Sequence, residues 1–157
     1  MGRISDEYAF VLSPSKHDSA VVYAGLSNGL GRLRRTPGGY AFERMEQAIN
    51  AEIRYIAEEK DGTLWLAGGF DGFQRLLPDG TARDYHPNLQ VRSRTNRLFT
   101  TSQGIFFATD RGLMRFNPVN DKFEDDAVIA PLLPESGKFV LRMYEDSAGH
   151  HWISRMG

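Results

Sequence analysis

The sequence predicts an all-β fold built from β-propeller blades, four-stranded antiparallel units of which the chain holds about three and a half. Three observations support this prediction. Short apolar runs alternate with glycine-containing turns, large aromatic residues recur about every 42 residues, and further positions repeat in phase with them. We expect residues 1–157 to form a single partial propeller, with units at about 8–45, 53–85, 97–124 and 139–157, the last holding two strands.

The recurring aromatic residues anchor the repeat. Tyr23, Trp65, Phe107 and Trp152 follow one another at intervals of 42, 42 and 45 residues. A large aromatic side chain in an interior strand removes much apolar area from water where two blades stack. We therefore predict that these four side chains are core between the units. A platform for stacking sugars is the alternative, which repetition in every unit disfavours.

Within each unit, turns and strands can be placed from the pattern. For the second unit the predicted strands are Ile53–Glu58, Leu64–Ala67, Phe73–Leu77 and Thr81–Tyr85. Asp-Gly pairs between these runs suit tight hairpins, because glycine accepts a positive φ. An arginine recurs at one position of the third strand, as Arg32, Arg75 and Arg115. We expect each guanidinium to bond carbonyls or a carboxylate of a neighbouring strand.

Two acidic pairs, Glu58-Glu59 and Glu145-Asp146, end the first strand of their units. Paired carboxylates also serve glycosidases, but repetition just before a turn favours bonds to turn amides or to solvent. The sequence contains no nucleophile elbow, dinucleotide fingerprint or P-loop. It therefore predicts no catalytic residues, no cofactor and no metal.

Composition excludes several other classes of function. The chain has no cysteine, so disulfides and thiolate chemistry are absent. The net charge is -1, which gives no field to attract nucleic acid. No apolar run approaches the roughly 20 residues that span a bilayer, and the N-terminus lacks the apolar core of a signal peptide. We expect no contact of this segment with nucleic acid or membrane.

Several stretches resemble the two-component-regulator propeller repeat. The segments 53–67 and 140–154 are similar to its pattern of an apolar strand, two acids, a glycine and a tryptophan strand. The segment 109–116 resembles its third strand. Tyr23 and Phe107 depart from the tryptophan, and residues 100–103 are Thr-Thr-Ser-Gln where acids are expected. The resemblance implies a sensor segment of a bacterial hybrid two-component system, located in the periplasm.

We expect a small-molecule or oligosaccharide ligand to bind at the mouth of the central channel. The loops there join second to third strands and each unit to the next, and binding residues concentrate on such loops. The predicted ligand-binding residues are Arg92, Arg94, Arg97, Asp71 and Asp110. The three arginines form a local basic cluster, which suits a carboxylate or a phosphate.

Two alternative functions and one oligomeric arrangement remain open. A propeller lyase with a metal at the channel mouth would need His86 and His151 as contributors. A protein-interaction scaffold like the WD-repeat propellers would carry Trp-Asp and Gly-His pairs at each unit, and these are missing. An incomplete ring leaves exposed sheet edges and faces, so a homo-oligomer could complete it.

Overall fold

The computed structural model describes residues 8–69, 72–85, 96–109, 112–133 and 139–155. Sheet 1 contains β1 (Ala9–Pro14), β2 (Val21–Leu26), β3 (Gly29–Thr36) and β4 (Gly39–Met45). Sheet 2 contains β5 (Ile53–Glu58), β6 (Leu64–Gly68), β7 (Phe73–Leu76) and β8 (Ala82–Tyr85). Sheet 3 contains β9 (Arg97–Thr101), β10 (Gly104–Thr109), β11 (Gly112–Asn117) and β12 (Lys122–Asp125). Sheet 4 contains β13 (Val140–Glu145) and β14 (His151–Arg155).

Within each sheet, every strand pairs antiparallel with the next strand along the chain. The described residues thus form three four-stranded sheets of identical strand order and one pair of strands. This confirms the predicted all-β class with antiparallel four-stranded units, and the arrangement is consistent with a β-propeller-like fold. In sheet 2, the predicted strands agree with the observed ones to within one residue at each end.

The turn between the first two strands explains why these hairpins form. In sheet 2 the Gly62 amide donates to the Glu59 carbonyl at 3.2 Å, and Gly62 has a φ of +87°, which glycine adopts without strain. The Asp61 carboxylate accepts from the Thr63 amide at 2.9 Å. Sheet 4 repeats this turn with Gly149 in the glycine position and a φ of +82°.

The sheets stack through three clusters of apolar side chains. At the sheet 1–2 interface the buried members are aliphatic: Leu30, Ala48, Ile53, Leu64, Leu66 and Leu76. At the sheet 2–3 interface they include Trp65, Phe73 and Phe107, with Tyr85, Phe116 and Phe123 packed against them. At the sheet 3–4 interface they are Phe106, Ala108, Leu113, Ile129 and Val140. The first strands β1, β5, β9 and β13 contact one another in chain order.

The structure corrects the aromatic position in sheet 3 by one residue. Trp65 faces the following sheet, whereas Phe107 packs against Trp65 and therefore faces the preceding one. Phe106 faces sheet 4, and its ring lies 3.4 Å from the Arg115 guanidinium carbon. In sheet 2, Arg75 is paired with Trp65 across neighbouring strands, and its guanidinium lies over the Trp65 ring. Phe106 is therefore the equivalent of Trp65.

The other predicted core aromatics differ in burial. Trp65 is fully buried and Phe107 is 2% exposed, in agreement with their predicted role between sheets. Tyr23 is half-buried and packs against the sheet 1–2 cluster. Trp152 is 65% exposed, because no sheet covers its side of sheet 4 among the described residues. The prediction of a buried Trp152 is therefore wrong for this chain on its own.

A short 3-10 helix, Ala130–Leu132, follows sheet 3, with Pro131 at the helix start. Proline suits this position, because its ring presets φ and the missing amide would have no helical partner there. Residues 134–137 lie outside the described part of the chain.

Candidate functional site at the connection end

The stacked sheets have two ends that carry different parts of the chain. The turn end holds the turns between first and second strands of each sheet. The connection end holds the turns between second and third strands and the segments that link one sheet to the next. Of the predicted ligand-binding residues, Arg97 belongs to the connection end. Arg92, Arg94, Asp71 and Asp110 lie outside the described residues, as does His86.

Arg97 is described, and it joins two sheets. Its Nη1 donates to the Val140 carbonyl at 3.2 Å, and its guanidinium carbon lies 4.8 Å from the centre of the Phe139 ring. The first contact fixes the start of β9 against the start of β13. Arg97 therefore already has a structural role, and its role as a ligand-binding residue stays a prediction.

The connection end also presents a cluster that sequence reasoning missed, formed by Phe10, Glu52 and Arg54. The Arg54 guanidinium carbon lies 4.6 Å from the centre of the Phe10 ring, and Arg54 Nε donates to the Glu52 carboxylate. Phe10 is 43% exposed and the Arg54 side chain is more than half exposed. An aromatic face beside a guanidinium is a surface on which a sugar ring or an anion can bind.

Bulges in the strands explain why these two side chains meet. The pairing of β1 with β2 shifts at Phe10, and the pairing of β5 with β6 shifts at Arg54. Sheet 4 has the same irregularity at Leu141. A bulge leaves one residue unpaired and redirects its side chain. No sequence signal marks these positions, since neither carries a glycine.

The acidic pairs behave as the turn-bonding prediction expects. Glu58 accepts a hydrogen bond from the Ser15 hydroxyl at 2.9 Å and one from the Lys16 amide. Glu145 accepts bonds from the amide and the hydroxyl of Ser102, both at 2.6 Å. The Ser102 hydroxyl, followed by its amide, lowers the pKa of Glu145 below its ordinary value. Each first acid thus ties its sheet to the turn of the preceding sheet.

The second acids of the pairs hold the tryptophans of their own sheets. Trp65 Nε1 donates to Glu59 at 3.0 Å, and Trp152 Nε1 donates to Asp146 at 3.0 Å. The indole bond is the largest cause that lowers the pKa of Asp146. A general acid for glycoside hydrolysis needs a raised pKa, so Asp146 and Glu145 are shifted in the opposite direction.

The recurring arginines make the structural links that were predicted. Arg32 Nε donates to Glu43 at 3.2 Å across the β3–β4 pair. Arg115 donates to Asp126 at 3.0 Å and to two carbonyls of the β9–β10 hairpin, those of Gln103 and Ile105. Arg75 lies 3.4 Å from Glu59 and over the Trp65 ring. All three therefore belong to the scaffold.

Of the two histidines named for a metal site, the structure describes only His151, and His151 is not at the connection end. His151 lies at the turn end, 3.6 Å from Glu145 and in edge contact with the Phe106 ring. Its neighbour His150 points away from it, to Asp146 at 3.1 Å. Among the described residues, no group of three or more His, Asp or Glu side chains could hold a metal ion.

A cavity of about 640 Å³ opens between sheets 1 and 2. Its walls are mainly polar, and Tyr23 forms part of them. Burial, and then the charge of Glu58, raises the pKa of Tyr23 above its ordinary value. The charges around the cavity are paired with each other, Arg34 with Asp18 at 2.9 Å and Arg32 with Glu43. We place the candidate site at the connection end instead, because there the exposed Phe10 ring lies against the exposed Arg54 guanidinium.

The fold and the site define a class of protein, a propeller-like, all-β module. Its antiparallel sheets are stacked, its recurring acids and arginines hold the scaffold, and Phe10 and Arg54 are exposed at one end. Among the described residues, no helix is long and apolar enough to cross a membrane. No family model matches the chain.

Two of the solved structures that are similar to this chain come from B. thetaiotaomicron. One is described as the extracellular domain of the hybrid two-component system BT4673, with 25% identity and a TM-score of 0.70 over 95% of this chain and 20% of that chain. The other is described as the extracellular domain of the one-component system BT4673, with 27% identity and a TM-score of 0.67 over 89% of this chain and 19% of that chain.

The chain thus spans about a fifth of the length of the structures that it matches. The chain is similar to extracellular domains of signalling systems of this kind, and the similarity does not define a particular repeat family. The neighbours are extracellular, which agrees with the predicted periplasmic location of the segment.

Proposed function

We propose that this chain is a ligand-sensing segment of a β-propeller in a bacterial two-component signalling sensor, and that it has no catalytic role. The observation that carries the proposal is the similarity to an extracellular sensor domain over 95% of the chain. The chain covers only a fifth of that domain, so the ligand is a proposal for this segment alone.

The proposed ligand is an anionic small molecule or oligosaccharide that binds at the connection end. Arg54 offers a guanidinium to a carboxylate or phosphate, and Phe10 offers the face of an exposed ring. Arg97, one member of the predicted cluster of Arg92, Arg94 and Arg97, lies at the same end. In this proposal Glu52 holds Arg54 in place until an anion competes for the guanidinium.

The test is a binding screen of anionic and neutral oligosaccharides by isothermal titration calorimetry. For an anionic hit, we expect Arg54→Ala to weaken binding about tenfold or more, which corresponds to one charged hydrogen bond. Phe10→Ala should weaken an oligosaccharide more than a small anion, because only the sugar ring stacks. Arg94→Ala with Arg97→Ala should weaken an anionic ligand as well.

The matched control is Arg35→Ala, which removes an exposed arginine at the far end of β3 from the cluster. We expect it to leave binding within about twofold of the original. Equal losses from Arg35→Ala and Arg54→Ala would contradict the proposed site, since they would indicate a general effect of charge. Unchanged affinity in the Arg94 and Arg97 double variant would remove those two residues from the site.

A metal-dependent enzyme and an interaction scaffold remain as alternatives. The metal-dependent enzyme would need His86 and His151 at the channel mouth, but His151 lies at the turn end. Metal analysis of the purified chain separates the alternatives. A stoichiometric divalent metal would favour the enzyme, and we expect the purified chain to carry none.

A further inference from the structure

The turn end carries a repeated contact between sheets. A glutamate at the end of a first strand accepts hydrogen bonds from the turn of the preceding sheet. Glu58 does so at the sheet 1–2 interface, from Ser15 and the Lys16 amide. Glu145 does so at the sheet 3–4 interface, from the amide and hydroxyl of Ser102. In both cases a main-chain amide at the same place in the turn is a donor.

The sheet 2–3 interface lacks this carboxylate. Strand pairing places Thr100 opposite Ile105, which is the position that Glu58 and Glu145 hold in their own sheets. A threonine side chain is too short to reach the turn of sheet 2. Among the described residues, the Lys60 amide of that turn has no hydrogen-bond acceptor. The donor that this contact uses elsewhere is therefore available here.

A pocket of about 330 Å³ lies where the missing side chain would extend. Thr100, Lys60 and Lys16 line it. The Lys16 ammonium group donates to the Glu58 carbonyl at 3.1 Å and has two further donors. Two carboxylates also line the pocket, but both are engaged. Glu58 bonds the turn of sheet 1, and Glu59 accepts from the Trp65 indole.

We propose that this pocket binds the carboxylate of a small molecule, in the place that glutamate side chains hold at the other two interfaces. The Lys60 amide is the main donor, and the Thr100 hydroxyl and the Lys60 and Lys16 ammonium groups assist it. The pocket lies at the turn end, so this site is separate from the site proposed above and does not depend on it.

The experiment is an NMR titration of the ¹⁵N-labelled chain with sodium acetate, against sodium chloride at matched ionic strength. We expect a saturable shift of the Lys60 amide, with a dissociation constant in the millimolar range that a single small anion gives. The amides of Lys16 and Ser102 already donate to glutamates and should shift little. Equal shifts at all three turns, or a shift with chloride as large as with acetate, would overturn the proposal.

Two substitutions at Lys60 separate its amide from its side chain. Lys60 is the second residue of a turn closed by the Gly62 amide, and proline is favoured at that position. Lys60→Pro removes the donor and the ammonium group, whereas Lys60→Ala removes only the ammonium group. Followed through the Thr100 amide, Lys60→Pro should lose acetate binding and Lys60→Ala should weaken it by less than tenfold. Equal binding by both variants would overturn the role of the amide.

Thr100→Glu supplies the missing carboxylate from the chain itself. We expect it to abolish acetate binding and to raise the melting temperature. Thr100→Val, which keeps the pocket open, should bind acetate within a few-fold of the original. Acetate binding by the Thr100→Glu variant at the original strength would overturn the proposed site.

Discussion

The sheet 1–2 and sheet 2–3 interfaces join similar sheets with different side chains. At the sheet 2–3 interface, Trp65 packs against Tyr85, Phe107, Phe116 and Phe123 with ring centres 4.8–5.8 Å apart. At the sheet 1–2 interface the equivalent residue is Tyr23, which faces a polar cavity. The recurring position therefore sets how tightly two sheets pack, because the larger, fully buried ring fills the space between them.

The largest effect is expected from removing the central ring. Trp65→Ala should lower the free energy of unfolding by about 3–5 kcal/mol, since it deletes a buried aromatic and leaves a cavity. Tyr23→Ala should cost less than half of that, because Tyr23 is only half-buried and already borders a cavity. Urea denaturation followed by circular dichroism measures both. Equal losses would contradict the difference between the two interfaces.

The strand pattern was predictable because it is local, but the register of sheet 3 was not. A glycine three residues earlier, Gly62 or Gly104, placed Phe107 in line with Trp65. The β9–β10 hairpin closes with only Ser102 and Gln103 between paired residues, whereas the turn of sheet 2 has three residues between Glu59 and Thr63. One residue fewer reverses the faces of a strand, so Phe106 takes the position.

The candidate site was predictable only in its location. Loops at the connection end could be identified from the order of strands, and Arg97 does lie there. Phe10 and Arg54 could not be identified, because their exposure depends on bulges and on the contact between β1 and β5. The Lys60 pocket became visible only when equivalent hydrogen bonds were compared.

The carboxylate contact at the sheet 1–2 interface should give the next largest effect. Glu58 is 4% exposed, and Glu58→Ala leaves the Ser15 hydroxyl and the Lys16 amide without their acceptor. We expect a loss of about 1–3 kcal/mol in the free energy of unfolding by urea denaturation. Glu46→Ala is the control, since Glu46 is largely exposed and should change stability by at most about 0.5 kcal/mol. Equal effects would show that the contact adds nothing.

Asp126, which follows the last strand of sheet 3, should make the free energy of unfolding depend on pH. Burial acts to raise the pKa of Asp126, but bonds from the Ile129 amide, Arg115 and the Val128 amide lower it below the ordinary value of 3.8. A carboxyl with a lowered pKa stabilises the fold above its ordinary pKa, and this contribution is lost as the pH falls through the folded-state pKa.

Urea denaturation at a series of pH values tests this sign. The free energy of unfolding should fall below about pH 4, and the fall should be shallower in Asp126→Asn, which has no carboxyl to protonate. Asp126→Asn should also be less stable near neutral pH, because its amide bonds Arg115 more weakly. Parallel curves for the two proteins would contradict the role given to Asp126.

The smallest effect on the stability of a single chain is expected at Trp152. Its indole donates to an acid of its own sheet, as that of Trp65 does, but it lies on the open face of sheet 4 beside Tyr144. Trp152→Ala should therefore lower the free energy of unfolding by about 0.5 kcal/mol or less. Sheet 1 has an open apolar face as well, with Leu12 and Tyr40 more than half exposed. Two copies can place these faces together head to tail, as the prediction of a homo-oligomer requires.

Light scattering across a range of concentrations tests this last prediction. We expect a discrete oligomer for the original chain, and monomers for both Trp152→Glu and Leu12→Glu, because a head-to-tail contact uses both faces. Val119→Glu, in an exposed turn, should leave the mass unchanged. A monomeric original chain would rule out a second copy as the cover of Trp152. The exposure of Trp152, in contrast to the burial of Trp65, would then indicate that a sheet from outside this segment packs against sheet 4.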